Sequence, residues 1–273
     1  MISLNATGAA SSASYYLDQN NRNLQKSLTR LSSGLRINTA VDDPGGLAVS
    51  MKLSAAIRRT DAVSANVGNA ISFLQSQDGV LEAASAVLIR MSELASSSSD
   101  SSANPSDIAL YEKEFDELKI NLSELAVEEF NGQSLFAAGS STLAVVTSES
   151  GAQTTGITKM DFANFASNIY TNINIDETTP ANNTTAVDSL DAAIQSIAVM
   201  RASNGAEQSR LTFAQDILAV NRINLEAANS QIMDVDIAEE STNYARLTII
   251  REAGLAMLAQ ANTSTASLLR LLE

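Results

Sequence analysis

Apolar residues recur along this chain at alternating steps of three and four, and that spacing limits the fold more than any other feature. Ile108, Tyr111, Phe115, Leu118, Leu122 and Leu125 keep the pattern without exception. So do Leu211, Ala214, Leu218, Asn221, Leu225, Ala228, Ile232 and Val235, and again Leu247, Ile250, Gly254, Met257, Ala261, Ser264, Leu268 and Leu271. Near the start, Leu24, Leu28, Leu31 and Leu35 follow the same rule, while Leu74, Leu81 and Leu88 are each one heptad apart. Stripes of this kind put apolar side chains on one face of a helix, and that face must be buried against another helix.

The helical stretches are separated where local chemistry stops a helix. Asp42-Asp43-Pro44-Gly45-Gly46 offers an acidic N-cap followed by Pro at the first helical position, so one helix ends before it and another begins after it. Asn104-Pro105 does the same for the helix that starts near Ile108. Asn131-Gly132 marks a turn, and beyond Leu135 the heptads disappear. Leu143 to Thr147 and Thr154 to Thr158, rich in Val, Ile and Thr around Ser150-Gly151, predict a β-hairpin. Asn168 to Thr185, dense in Asn and Thr, reads as a surface loop. Helical spacing resumes at Val187, Leu190, Ile194 and Ile197.

The expected fold is mainly α: a long antiparallel helical bundle or coiled coil, with a small β-hairpin at one end. Its divisions fall at residues 1–42, 43–135, 136–186, 187–235 and 236–273. Composition supports this, since aromatics are 4% of 273 residues and there are only 3 Pro. The outermost segments have few large residues besides their own seam, so other copies of the chain are the expected partners for Leu24, Leu28, Leu31, Leu35, Leu247, Ile250, Met257, Leu268 and Leu271.

Chemistry is limited by what is missing. The chain has no Cys and no His, which removes thiol nucleophiles, imidazole bases, zinc fingers and Ser-His-Asp triads. No enzymatic activity, cofactor or metal is expected. The net charge is -14, with three basic and fourteen acidic side chains in residues 61–150, whereas nucleic-acid binding needs clustered Lys and Arg. Apolar runs are too short for a membrane span, and Met1 to Asn20 lacks the pattern of a cleaved secretory signal. Glu112, Glu114, Asp116 and Glu117, like Asp234, Asp236, Glu239 and Glu240, alternate around helices and read as solvated faces.

Longer motifs carry a family resemblance. Leu31-Ser32-Ser33-Gly34-Leu35-Arg36-Ile37-Asn38, followed by Asp42-Asp43-Pro44-Gly45-Gly46-Leu47-Ala48, resembles the N-terminal signature of bacterial flagellins. Three C-terminal runs are similar to the family too: Arg201 to Gln208, Asp234 to Glu240, and Met257 to Asn262 before Leu268-Leu269-Arg270-Leu271-Leu272. The resemblance implies a secreted subunit of the bacterial flagellum that polymerises with itself into the extracellular filament for motility. It further implies type III export, an export chaperone and a filament cap as partners, with terminal helices forming an inner tube and the bundle an outer one. The short middle makes this a minimal form, and Asn262-Thr263-Ser264-Thr265 departs from the family's common Asn-Gln-Pro pattern. The alternative is a hook-filament junction protein, which shares the terminal helices but does not self-polymerise.

One surface has two readings. In flagellins of this kind, the stretch matching Leu88 to Ala95 is also a docking surface for Toll-like receptor 5. The resemblance therefore implies Arg90, Glu93, Leu94 and Glu114 as a receptor or inter-subunit surface, although Ser92 and Ser96-Ser97 depart from the family pattern. On the residues alone, Arg90 and Glu93 are an i,i+3 pair on a helix surface.

Overall fold

The computed structural model describes residues 2–100, 104–175 and 180–270. Among them the order is α1 (Ile2–Ser33), α2 (Pro44–Ser98), α3 (Pro105–Leu125), β1 (Glu129–Phe130), β2 (Gln133–Ser134), β3 (Ser141–Val146), β4 (Thr154–Lys159), α4 (Phe162–Asn172), α5 (Pro180–Met233) and α6 (Ile237–Arg270). The fold is mainly α, as the heptads require.

The helix boundaries follow their capping residues. Asp43 Oδ1 accepts the Gly46 N–H at 2.9 Å at the start of α2, and Asn104 Oδ1 accepts the Ser106 N–H at 3.2 Å at the start of α3. Asp236 Oδ1 accepts from Ala238 N at 2.8 Å and Glu239 N at 3.2 Å, opening α6 with two orphan donors satisfied. Glu239 and Glu240 in that first turn suit the positive end of the helix dipole. At the other end of α1, Gly34 takes φ 72° and stops the helix, a conformation that costs a residue without Cβ almost nothing.

The chain divides into two compact units, residues 58–223 and the pairing of 1–57 with 224–273. Within 58–223, α2 and α5 run antiparallel. Arg222 Nε meets Asp61 Oδ1 at 3.1 Å, Asn204 Nδ2 donates to the Leu74 carbonyl at 3.0 Å, and Asn183 Nδ2 donates to the Ser98 carbonyl at 3.0 Å. The core between them holds Leu74, Leu81, Leu88, Met91, Leu190, Ile197 and Leu211, and α3 adds Phe115 and Leu122. Each large side chain buried this way contributes about 1.5–3 kcal/mol of hydrophobic stabilisation.

The β-hairpin is present, with β3 and β4 antiparallel in the register Leu143↔Ile157 and Val145↔Thr155. Asn131 (φ 53°) and Gly132 (φ 74°) supply the left-handed pair that turns β1 into β2. The Arg201 to Gln208 motif ties hairpin and bundle together. Glu207 accepts the Thr158 N–H at 2.9 Å and the Thr158 hydroxyl at 2.7 Å, while Arg201 forms a fork with Asp78 at 3.0 and 3.1 Å.

The expected surface loop over Asn168 to Thr185 is corrected. Asn168 to Asn172 closes α4, whose Phe162, Ala166 and Ile169 are buried, and α5 already begins at Pro180, seven residues before Val187. Burial of a face spaced 162, 166, 169 outweighs the weak helix propensity of Asn and Thr. Ile173 and Ile175, beyond α4, are buried as well.

Candidate functional site

The terminal helices carry the candidate surface. Helices α1 and α6 pack side by side and antiparallel: Asn20 Nδ2 donates to the Leu247 carbonyl at 2.9 Å, and Arg30 lies 3.6 Å from Glu240. A Cβ on Gly254 would stand 3.2 Å from Leu17 Cδ1, a tight contact that puts this face of α6 directly against α1. The expectation that both seams lack a partner within the chain is therefore corrected, because each covers part of the other.

What they cover is mostly polar, with Leu247 the buried apolar residue. Asn20, Ser27, Glu240 and Leu247 are buried, and Leu24, Leu31 and Leu35 are half-buried. Leu28, Ile250 and Met257 point away from this interface and are exposed. Leu271 and the side chain of Leu268 lie outside the described residues. Heptad reasoning missed Ile237, Ile249 and Leu255, which are also exposed; Ile249 and Met257 each keep 67% of their surface in the open. The available signal was that α6 carries apolar residues around its whole circumference, which a single 3-4 stripe does not capture.

Glu240 is the one buried carboxylate here. Burial would raise its pKa, but the Asn243 amide, donating at 3.2 Å, and the Arg30 charge outweigh that and hold it below the usual carboxylate range. Asp42 is also held low, first by Lys26, whose ammonium is 2.7 Å away, against a smaller opposing effect of desolvation and with help from the Thr39 and Asn38 N–H groups and the Thr39 hydroxyl.

The second candidate surface is partly assembled. Arg90 bridges Glu114 on α3 at 2.7 Å and Glu93 at 3.0 Å, and these carboxylates, Glu114 foremost, push its pKa up. All three side chains are exposed. Leu94 is not part of that surface: it is 3% exposed and packs into the core, because its position faces α2's buried side. Ile89, half exposed beside Arg90, is the apolar residue that faces outward.

The acidic clusters have local partners. Asp116 pairs with Lys119 at 3.3 Å, Asp236 caps α6, and Glu240 lies against Arg30. Among the described residues no group of three or more acidic side chains is arranged to hold a metal, and no helix is long and apolar enough to cross a membrane.

A long antiparallel helix pair with a β-hairpin packed on it, and terminal helices lying together, define a helical structural protein. Sequence comparison says which one. Residues 4–142 match the bacterial flagellin N-terminal helical region and residues 187–272 the C-terminal helical region. A flagellin of Halalkalibacterium halodurans is 36% identical over 91% of this chain and 92% of its own length. The flagellar filament 33 kDa core protein of Treponema phagedenis is 34% identical over 99% of both chains. The crystal structure of Bacillus cereus flagellin aligns with a TM-score of 0.50 at 25% identity, over 56% of this chain and 88% of that one. A Vibrio parahaemolyticus protein described as flagellar hook-associated shares the fold, with a TM-score of 0.59 at 11% identity over 71% of this chain and 100% of its own. The chain belongs to the bacterial flagellin family, a family of structural proteins and not of enzymes.

Proposed function

We propose that this chain is a structural subunit that polymerises with itself into the extracellular filament of the bacterial flagellum and serves motility. The observation that carries the reading is the apolar exposure on α1 and α6, where Leu28, Ile249, Ile250, Leu255 and Met257 are exposed while Asn20 and Ser27 are buried. Exposed apolar side chains on a pair of long helices gain their burial only from another molecule. Copies related by a repeated, non-closing contact grow into a helix and not a ring. In this reading residues 1–42 and 236–273 make an inner tube, residues 43–135 and 187–235 an outer bundle, and 136–186 the hairpin and its flanks. The family relationship supports export through the flagellar apparatus, with an export chaperone and the filament cap as partners.

Seeded elongation tests the proposal. Purified full-length chain added to short filament seeds lengthens them in electron micrographs. The chain truncated before Ile237 stays soluble, melts cooperatively and adds nothing. Elongation by the truncated chain overturns the assignment, and a full-length chain that only caps seeds points to the junction-protein alternative.

A second role rests on the convergence of Arg90, Glu93 and Glu114. We propose this surface, with Ile89 in place of Leu94, as a contact for Toll-like receptor 5 or for a neighbouring subunit. A receptor reporter assay on the parent protein decides the receptor half, and silence at saturating protein refutes it.

A further inference from the structure

Leu74, Gln77 and Leu81 occupy consecutive 3-4 positions on the buried side of α2, and none of the three has any exposed surface. On α5, Asn204 stands one heptad from both Ile197 and Leu211 and is 1% exposed. Each long helix thus carries an amide in the middle of an apolar seam, and the two amides meet. Asn204 Nδ2 donates to Gln77 Oε1 at 3.3 Å and to the Leu74 carbonyl at 3.0 Å. Gln77 extends the contact outward, its Nε2 donating to the Leu135 carbonyl at 3.0 Å and to the Thr158 carbonyl at 3.4 Å. Thr158 lies on β4 opposite Thr142, and its N–H and hydroxyl donate at 2.9 and 2.7 Å to Glu207, one turn beyond Asn204 on α5. Every polar atom of this one strand residue is therefore taken by α2 or α5.

Amides buried between leucines cost free energy even when paired, and Asn204 Oδ1 has no hydrogen-bond partner among the described residues. What they add is direction. Burial of Val145 and Ile157 holds the hairpin on the bundle, but apolar contact is non-directional and does not fix where it sits. The Arg59–Glu149 pair near the hairpin's turn is largely exposed, and such pairs contribute little. We infer that Gln77, Asn204 and Glu207 are positioning residues, which give up stability in the α2–α5 seam to seat the hairpin at one place on it. The seat is tied to the pairing of the two helices, because a shift of α2 along α5 parts Gln77 from Asn204 and moves Gln77 off Thr158. All of these contacts lie within residues 58–223, so the inference holds whether or not the chain polymerises.

Opposite signs in two measurements test it on the full-length chain, kept below any concentration at which it assembles. Gln77→Met/Asn204→Leu replaces both amides with apolar side chains of similar shape. Its denaturant midpoint is expected at or above that of the parent, since removing both partners of a buried polar pair is neutral or stabilising. Hydrogen exchange in residues 141–159 is expected to speed up on the order of tenfold, while the buried segments of α2 and α5 keep their protection. Glu207→Met, at the rim of the cluster, is expected to loosen the same hairpin without lowering the midpoint, and it carries the test if the double variant does not fold. Unchanged hairpin protection in Glu207→Met overturns the inference. So does a lower midpoint with faster exchange throughout 58–223, which would make these residues ordinary parts of the core, and so does a parent hairpin with no measurable protection. Failure of seeded elongation changes none of these outcomes.

Discussion

In residues 58–223 the fully buried side chains include Leu74, Leu81, Leu88, Phe115, Leu122, Leu190 and Ile197. Between α1 and α6 the buried ones are Asn20, Ser27, Glu240 and Leu247, and Leu28, Ile249, Ile250, Leu255 and Met257 lie exposed. Both regions are built from long helices with the 3-4 spacing. The difference is where the apolar area goes. The first region removes enough of it from water within one chain to be stable, although Phe213, Ile217 and Val220 stay exposed there, whereas the second buries little of it. A single sequence can thus hold one part folded by itself and reserve another part's hydrophobic gain for a partner.

The sharpest way to break this comparison is to remove a large core side chain. Phe115→Ala empties a fully buried position on α3 and is expected to cost about 3–5 kcal/mol. Leu218→Ala, at the equivalent depth on α5, is expected to cost about 2–5 kcal/mol. Denaturant melts followed by circular dichroism check both. An unchanged midpoint in either variant means that residues 58–223 are not the self-sufficient part.

Acid separates the regions next. The Asp42 and Glu240 carboxyls have pKa values lowered in the fold, the first chiefly by Lys26 and the second, against the cost of burial, by Asn243 and Arg30. A lowered pKa means that the folded state favours the ionised form. The stability it contributes is fully present above the unfolded carboxylate value, about 4, and is lost as pH falls through the lower folded value. Hydrogen exchange between pH 7 and pH 3, corrected for the intrinsic rate, is expected to accelerate in residues 20–33 and 237–250 before it does in the core of 58–223. Glu240→Gln removes part of that acid response. A response confined to 58–223 would place the sensitive groups elsewhere.

How much of this was legible in the sequence depended on what each residue faces. The heptad 108 to 125 and the opening of the 211 to 235 stripe, Leu211 and Leu218, name core residues correctly, because a stripe buried on one side leaves a clear periodic trace, whereas Asn221 is exposed and Leu225 to Val235 are only half-buried at the stripe positions. The breaks at Pro44 and Pro105 were equally plain, since Asp43 and Asn104 cap through chemistry confined to one turn. Two features were hidden. Helix α4 lies in an Asn-rich stretch whose composition says loop, and only burial of Phe162, Ala166 and Ile169 makes it a helix. On α6 only part of the 3-4 stripe, Leu247 and Gly254, lies in the interface with α1 together with Glu240, whereas Ile250 and Met257 from the same stripe are exposed. Apolar residues on several faces leave the period ambiguous, and only the partner's position resolves it. Leu94 was misplaced for a related reason: a motif fixes sequence position, whereas exposure depends on which side of α2 the core lies.

A smaller effect is expected at the polar surface. Arg90→Ala breaks two exposed ion pairs, with Glu93 and Glu114, and exposed pairs typically contribute about 0.2–1 kcal/mol. The melt is expected to shift by no more than that. Any larger loss in seeded elongation or receptor signalling then reports on the surface itself and not on folding. A loss of stability well beyond this range would assign Arg90 to the bundle's architecture instead.

The smallest expected change in stability is also the most informative. Ile249→Ser and Met257→Ser replace side chains that are each 67% exposed and touch little within the chain, so surface behaviour applies and the monomer melt is expected to stay within about 0.5 kcal/mol of the parent. The same two residues belong to the outward face on which self-association is proposed to depend. Elongation of seeds is therefore expected to slow or stop, and the concentration needed for growth to rise, with no compensating change in the monomer. Leu247→Ala supplies the control, because Leu247 faces α1 and its loss weakens the α1–α6 pairing inside the chain before any contact between chains is made. If Ile249→Ser and Met257→Ser leave elongation untouched while Leu247→Ala abolishes it, the outward apolar face is not the contact that builds the filament. The contrast between the two regions would then describe only how the chain packs by itself.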